Sequence, residues 1–207
     1  MPNGDTDVDL IVKSKKGDLS AFGQLVNRHQ SLVISFCYRM LGNREDAEDI
    51  AQETFLRAFA AIRNFTPRAK FSTWLLSITK NLTLNLLRNK RKRGHSVSST
   101  NWFGEERQAV TLVPTDDLEP DEVLLRKERA QWVHRGLQEL SDTHRGIIIL
   151  RDFESMAYEE IAKVMGCKKG TVKSRLFRAR EHLRDKLLEC ESASDYGARM
   201  VRRGDQR

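Results

Sequence analysis

The sequence predicts an all-α protein built as two small helical domains joined by a flexible acidic linker. Three observations carry that class. Apolar residues recur at steps of three and four along most of the chain, the signature of helical faces. Aromatic residues make up only 7% of the 207 positions, too few for the strands of a β-sandwich. Residues 94 to 120 then break the pattern, being rich in Ser, Thr and acids and holding Pro114 and Pro120. A periodless stretch of that length is unusual inside one compact domain, so it divides the chain. The expected boundaries are 1–93 for the first domain, 94–120 for the linker, 121–190 for the second domain and 191–207 for a disordered tail.

The elements follow in order. From Asp18, an apolar face runs through Phe22, Leu25, Val26, Val33, Phe36, Cys37 and Met40. Gly42 can close that helix and Asn43 can cap the next. The next helix, 45 to 62, turns Ala47, Ile50, Ala51, Thr54, Phe55, Ala58, Phe59 and Ile62 inward. Residues 64 to 71 contain Pro67 and read as a loop. Ser72 or Thr73 is then expected to cap a helix through Trp74, Leu75, Ile78, Leu82 and Leu86, with Phe71 and Trp74 as core residues. In the second half, Asp121 is the expected cap of a helix carrying Leu125, Val133, Leu137 and Leu140, and Ser141 the cap of the one after it. Two further helices are expected over 158 to 165 and 170 to 188, and the polar tail from Glu191 should fray.

Composition excludes several classes. The longest aliphatic run, Ile147-Ile148-Ile149-Leu150, falls far short of the ~18 residues of a membrane span, so no membrane insertion is expected. The polar, acidic start shows no secretory signal, which points to the cytoplasm. Cys37, Cys167 and Cys190 are widely spaced and include no C-x-x-C, so neither a disulfide framework nor a structural zinc site is implied. Five histidines (His29, His95, His134, His144, His182) show no nucleophile–base spacing, and no phosphate-cradling glycine loop is present. The expectation is a non-enzyme with no catalytic residue, no metal, no cofactor and no small-molecule substrate.

Charge is blocky. Thirty-six Lys and Arg against 29 Asp and Glu leave a net charge of +7, but the signs are segregated. Residues 44 to 53 carry Glu45, Asp46, Glu48, Asp49 and Glu53 against Arg44 alone. Residues 88 to 93 carry Arg88, Lys90, Arg91, Lys92 and Arg93 with no acid. Seven acids against Arg107 fall in 105 to 122, and eight cations against Glu181 and Asp185 in 168 to 186. Alternating blocks of one sign suggest several binding faces with different tasks.

The strongest chemistry lies near the C-terminus. A short helix with Ile161, Ala162 and Met165 inside leads through a glycine turn into one whose stripe is Val172, Leu176, Ala179, Leu183 and Leu187. At ~100° per residue, Lys173, Ser174, Phe177 and Arg178 point away from that stripe. Phe177 is an aromatic on a polar face among cations. Such a set suits a major groove, where Arg or Lys reaches guanine acceptors and an aromatic touches a thymine methyl.

Two motifs now identify a resemblance. Asp46-Ala47-Glu48-Asp49-Ile50-Ala51-Gln52-Glu53-Thr54-Phe55 resembles the polymerase-binding helix of bacterial sigma factors. Gly170-Thr171-Val172-Lys173-Ser174-Arg175-Leu176-Phe177-Arg178-Ala179-Arg180, with the helix before it, resembles their second DNA-binding motif. Phe71-Ser72-Thr73-Trp74-Leu75 and Asn81 sit at the expected spacing between them. The chain is thereby identified as similar to the small extracytoplasmic-function (ECF) group, and to its envelope-stress branch of enteric bacteria, over roughly residues 7 to 188. One departure is local: the family often has Gly-Leu-Ser where this chain has Ser155-Met156-Ala157. Ala157 cannot cap its helix, a loss of about 1 kcal/mol, which Glu159 and Glu160 in the first turn partly recover through the helix dipole.

The resemblance implies a role for each face. Asp46, Asp49, Gln52 and Glu53 would bind the largest catalytic subunits of core RNA polymerase. A di-iron reading of those carboxylates is set aside because no Glu-x-x-His accompanies them. Asn81, Asn85, Arg88 and Lys92 recur at i, i+4, i+7 and i+11; the resemblance assigns them to the minus-ten element, with Asn81 at the position that contacts a flipped base. Lys173, Ser174, Arg175, Phe177 and Arg178 would engage the minus-thirty-five element, with Arg175 on the backbone. Lys90, Arg91, Arg93, Lys168, Lys169 and Arg180 would hold phosphates. The acidic linker, with Asp116, Asp117, Glu119 and the adjoining Asp121, would occupy a basic channel of the polymerase. Promoter DNA and a restraining anti-sigma protein complete the implied partners. A stand-alone helix-turn-helix regulator binding as a dimer is the competing reading, but it leaves the acidic helix and the Asn81 stripe unused.

Overall fold

The computed structural model describes residues 6–66, 69–94 and 120–204, and of 120–128 and 190–204 the backbone alone. The order is α1 (Asp7–Lys15), α2 (Leu19–Leu41), α3 (Arg44–Ala61) with a 3-10 turn (Ile62–Asn64), and α4 (Phe71–Lys92). Then come α5 (Pro120–Glu139), α6 (Asp142–Ile148) running into a π turn (Ile149–Phe153), α7 (Tyr158–Met165) and α8 (Lys169–Gly204). No strand occurs among the described residues.

Several boundaries follow the local chemistry. Asn43 accepts from the Asp46 amide at 2.9 Å, and Gly42 closes α2 in the left-handed region at φ 72°. Ser141 accepts from the His144 amide at the head of α6. Others differ from expectation. α4 begins at Phe71 with Lys70 as its cap and no side-chain cap bond, so Ser72 and Thr73 lie inside the first turn. The reason is burial: Phe71 is packed 5.6 Å from Trp74 and 5.9 Å from Phe65, and Thr73 is buried behind them, so both must already be helical. α5 begins at Pro120 rather than after an Asp121 cap; proline fits the first helical position because its missing N–H has no intrahelical partner there. The backbone of α8 continues to Gly204 through the tail that was expected to fray.

α1 was not anticipated. Thr6 and Asp9 form a reciprocal capping box, and Asp7 binds His29 at 2.7 Å and Arg28 at 3.0 Å on α2. Val8 and Val12 are exposed while Leu10, Ile11 and Ser14 are buried, so apolar residues do not mark its inner face.

The expected two-unit helical class holds, and the units are in contact. The two helical units do not stand apart: their buried residues form one cluster that runs from Leu10 to Ala179. α2 and α4 of the first unit supply the surface on which α5 to α7 of the second are packed. The expected linker, apart from its two ends, lies outside the described residues. Cys37 is fully buried and burial pushes its thiol up to about 12, with Thr83 opposing, which makes it a packing residue. His134 is likewise held to about 4 by burial and then by the charges of Arg145 and Arg39, so it is neutral at physiological pH.

Ser155 carries the positive φ, 51°, at the position where the family often has glycine. A left-handed non-glycine residue costs about 1–2 kcal/mol. Ser155→Gly is therefore expected to raise stability by roughly 1 kcal/mol, or about 2–4 °C in Tm for a chain of this size, read by differential scanning calorimetry. An unchanged or lower Tm would show that the Ser155 side chain offsets the strain.

Candidate nucleic-acid interface

The acidic face belongs to α3. Ala47, Ala51, Thr54 and Ala58 are buried, and these small residues let α3 lie close to α2 and α4. Phe59, expected inside, is 38% exposed and packs edgewise on Phe22. The opposite face presents Asp49 and Gln52 in the open. Glu53 bonds Arg57 at 2.6 Å, an i,i+4 pair worth little in water. Asp46 is half-buried against Lys90 of α4. Two residues assigned to different partners, polymerase and phosphate, thus satisfy one another.

α4 turns Leu75, Leu76, Thr79, Leu82, Thr83 and Leu87 inward. Threonine is tolerated there because the Thr79 and Thr83 hydroxyls donate to carbonyls one turn back at 2.9 and 2.8 Å. Asn81, Asn85, Arg88 and Lys92 are all exposed on the other side, as one stripe running into the cationic end of the helix. Behind the stripe's N-terminal end, Phe65, Phe71 and Trp74 form an aromatic cluster with ring centroids 4.8–5.9 Å apart. Phe71 and Trp74 are occupied in packing, and the polar stripe stands on the exposed side. Arg91 bonds Asp142 of α6 at 2.9 and 2.6 Å, a contact that raises its pKa further. Arg93 is exposed.

The third surface is the α7–α8 pair. Glu160 accepts the Ala157 amide at 3.1 Å, supplying half of the cap that Ala157 lacks, and Gly166 (φ 65°) ends α7. Val172, Leu176 and Ala179 are buried. Lys173, Ser174, Phe177 and Arg178 are exposed together, Phe177 at 65%. Leaving a phenyl ring in water forgoes on the order of 2 kcal/mol of burial, and here the ring sits at the centre of a cationic face. Arg175 is half-buried; with Arg178 it acts on His144, whose ring lies 5.3 Å from His182 and whose pKa is lowered chiefly by burial. Of the remaining cations, Lys168 is exposed, Lys169 pairs with Glu159, and Arg180 is held by Asp152 with one bond at 3.1 Å.

Sequence reasoning missed Arg145, Arg39 and Glu154, which join the two units. Their partners are backbone carbonyls and residues about a hundred positions away, and no local spacing signals them. Among the described residues, no group of His, Cys, Asp and Glu converges to hold a metal, and no helix is long and apolar enough to cross a membrane.

Comparison with known proteins agrees with this geometry. Residues 25–93 match the Sigma-70 region 2 model and residues 130–183 match Sigma-70 region 4. The chain is 35% identical to the ECF RNA polymerase sigma factor SigW of Bacillus subtilis, over 86% of this chain and 95% of that one. It is 36% identical to the RNA polymerase sigma-H factor of Pseudomonas aeruginosa over 88% and 94%, and 35% identical to the sigma-E factor of Escherichia coli over the same shares. Among solved structures, CnrH in complex with the cytosolic domain of CnrY aligns with a TM-score of 0.63 at 29% identity, covering 90% of this chain and 99% of that one. RpoE of Bartonella quintana with the anti-sigma factor NepR aligns at 0.59 and 28%, covering 82% and 98%. With both DNA-binding units in order and relatives matched over nearly their whole length, this chain belongs to the ECF sigma factors.

Proposed function

We propose that the protein binds core RNA polymerase through Asp46, Asp49, Gln52 and Glu53 and directs it to promoters read at two elements. Asn81, Asn85, Arg88 and Lys92 engage the minus-ten element, and Lys173, Ser174, Phe177 and Arg178 the minus-thirty-five element. Lys168, Arg175, Lys90, Arg91, Arg93, Lys169 and Arg180 grip phosphates, DNA displacing the carboxylate partners of Lys90, Arg91, Lys169 and Arg180. The reading is non-enzymatic and cytoplasmic, with an anti-sigma protein as restraint. The structurally similar RpoE was solved with an anti-sigma factor, which supports that last element.

One observation carries the proposal: Phe177 is largely exposed on a helix whose Val172, Leu176 and Ala179 are buried, within a face of Lys and Arg. Extruding a base at the minus-ten element costs a few kcal/mol. The aromatic cluster under α4 fixes the stripe in advance, so that cost is not compounded by ordering the protein. Run-off transcription with purified core polymerase on a promoter library tests the function, and absence of a defined start would refute it.

Arg178 and Lys168 separate specificity from grip. Arg178→Ala should cost about 1–3 kcal/mol on the preferred minus-thirty-five sequence and relax the preference there. Lys168→Ala should weaken all sequences evenly and lower the salt slope by about one unit. Fluorescence anisotropy across a salt series, on matched and scrambled duplexes, reads both. Equal weakening of all DNA by Arg178→Ala would remove it from the specificity set.

A further inference from the structure

The cations of α8 divide into two groups. Lys169 pairs with Glu159 of α7, Arg180 with Asp152 of the π turn, Arg184 with Asp185 and Lys186 with Glu189. Among the described residues, no carboxylate pairs with Arg175 or Arg178. At ~100° per residue these two share one band of the helix with His182, all three within about 60°. The band runs along the edge of the DNA-reading face, between Lys173, Ser174 and Phe177 on one side and the buried Val172, Leu176 and Ala179 on the other. His144 of α6 packs against it, its ring edge-on to that of His182 with centroids 5.3 Å apart.

Two guanidinium groups and two imidazoles thus gather in one place, His182 exposed and His144 half-buried. The imidazole of His144 is held below its ordinary pKa first by burial, then by the charges of His182, Arg175 and Arg178. Acids on the surrounding elements are engaged elsewhere. Asp142 of α6 takes two bonds from Arg91, Asp152 and Glu159 hold Arg180 and Lys169, and Asp185 takes Arg184. α5 meets α8 through Gly136 against Leu183 and Leu187, and its Glu139 acts on Arg145. Arg145 itself is buried and donates to backbone carbonyls, so it adds no donor here. α2 has no acid, and Glu181 lies about 100° round α8 from His182.

Positive charge gathered without a carboxylate partner suits an anion. An imidazole donates from both nitrogens only when protonated, while a phosphate diester stays negative throughout the range in which imidazole titrates. The geometry points to a phosphate site built from His144, His182 and Arg175 at the edge of the reading face, filled by the backbone of the bound duplex and closed by protonation of the imidazoles. This site deepens the minus-thirty-five reading proposed above and rests on it: Arg178 faces the bases, and the histidines and Arg175 hold the strand beside them. The sign of the pH dependence follows. The DNA-bound chain carries more protons than the unbound one, so affinity falls as pH rises through the imidazole range. Arg175 keeps its charge throughout, which makes the histidines a modulation of grip and not an all-or-none switch.

Fluorescence anisotropy of the full chain on a duplex carrying the minus-thirty-five element, at about pH 6 and about pH 7.5, reads the coupling. Wild-type affinity should fall by about fivefold or more across that span, one proton taken up giving at most about tenfold per pH unit. The slope of log K against log salt should be steeper at the lower pH by about one unit, the mark of an added phosphate contact. His144→Gln with His182→Gln should cut the fall to less than about twofold and equalise the two salt slopes. His182→Lys fixes a positive charge at the exposed position; it should bind more tightly than wild type at about pH 7.5 and lose part of the pH dependence. Because His182 is exposed, that variant tests the site independently of how the double replacement folds. In NMR of the imidazole rings, the titration midpoint of His144 should move up when duplex is added. Wild-type affinity equal at both pH values, or a double-glutamine chain that keeps the full fall, would overturn the site and leave the sequence reading standing so long as the matched duplex is preferred over a scrambled one. If matched and scrambled duplexes bind alike, the minus-thirty-five reading fails, and the presence or absence of the fall with pH on either duplex decides the phosphate site by itself.

Discussion

Reversing two charges on α3, Asp49→Lys with Glu53→Lys, should reduce affinity for core RNA polymerase by at least a hundredfold. Asp49 is exposed, and Glu53 pairs with Arg57 on its own helix. The fold therefore loses one surface pair worth about 0.3–0.5 kcal/mol. The interface loses far more if the partner surface is basic, because like charges brought together cost several kcal/mol, and each 1.4 kcal/mol is tenfold. Neutralisation by Asp49→Asn with Glu53→Gln should act mainly on the association rate and its salt dependence, with a much smaller loss of affinity. Surface plasmon resonance with immobilised core enzyme distinguishes the two variants. Wild-type affinity in the doubly reversed chain would mean that this face is only solvated surface.

Truncating Phe36 should have the largest effect on stability. Phe36 is fully buried in α2, the helix that contacts both the first unit's α3 and α4 and the second unit's α5 and α6. Phe→Ala in a packed core costs about 3–5 kcal/mol, the transfer term plus the cavity left behind. Set against a total of about 5–15 kcal/mol, that is a large share of what holds a domain together. A fall in Tm of about 10 °C or more is expected from calorimetry, whereas Phe177→Ala, which removes an exposed ring, should leave Tm nearly unchanged. If Phe177→Ala proved equally destabilising, its ring would be a packing residue and its place in the DNA-reading face would be lost.

Local chemistry was legible wherever the deciding interaction lies within four residues. Asn43 capping α3, Gly42 and Gly166 closing helices, and Ser141 heading α6 are all set by a residue and its near neighbours. Faces were legible for the same reason: the helical period that buries Val172, Leu176 and Ala179 obliges Lys173, Ser174, Phe177 and Arg178 to point outward. The Asn81 stripe follows likewise from the burial of Leu75 and Leu82, although at the end of the helix Leu87 is buried and the expected Leu86 only partly. Where burial overrides propensity the sequence misled. Ser72 and Thr73 look like caps, yet the demand to bury Phe71 starts the helix ahead of them. Ser155 gives no sign of its left-handed backbone, because nothing in a serine requires one.

The sequence by itself determined the helical class, the outward set of each helix face and the alternation of charge along the chain. All of these follow from periodicity and composition, which are local properties of the chain. Only the tertiary structure decided that the two units share one core, that Asp46 and Lys90 neutralise each other, and that Arg145 lies buried among carbonyls. The physical reason is that carbonyls are common to every residue and carry no sequence signal. The Arg145 guanidinium finds its partners only when the fold brings the C-terminal ends of α2 and α5 to its donors, Met40 lying 105 residues away along the chain.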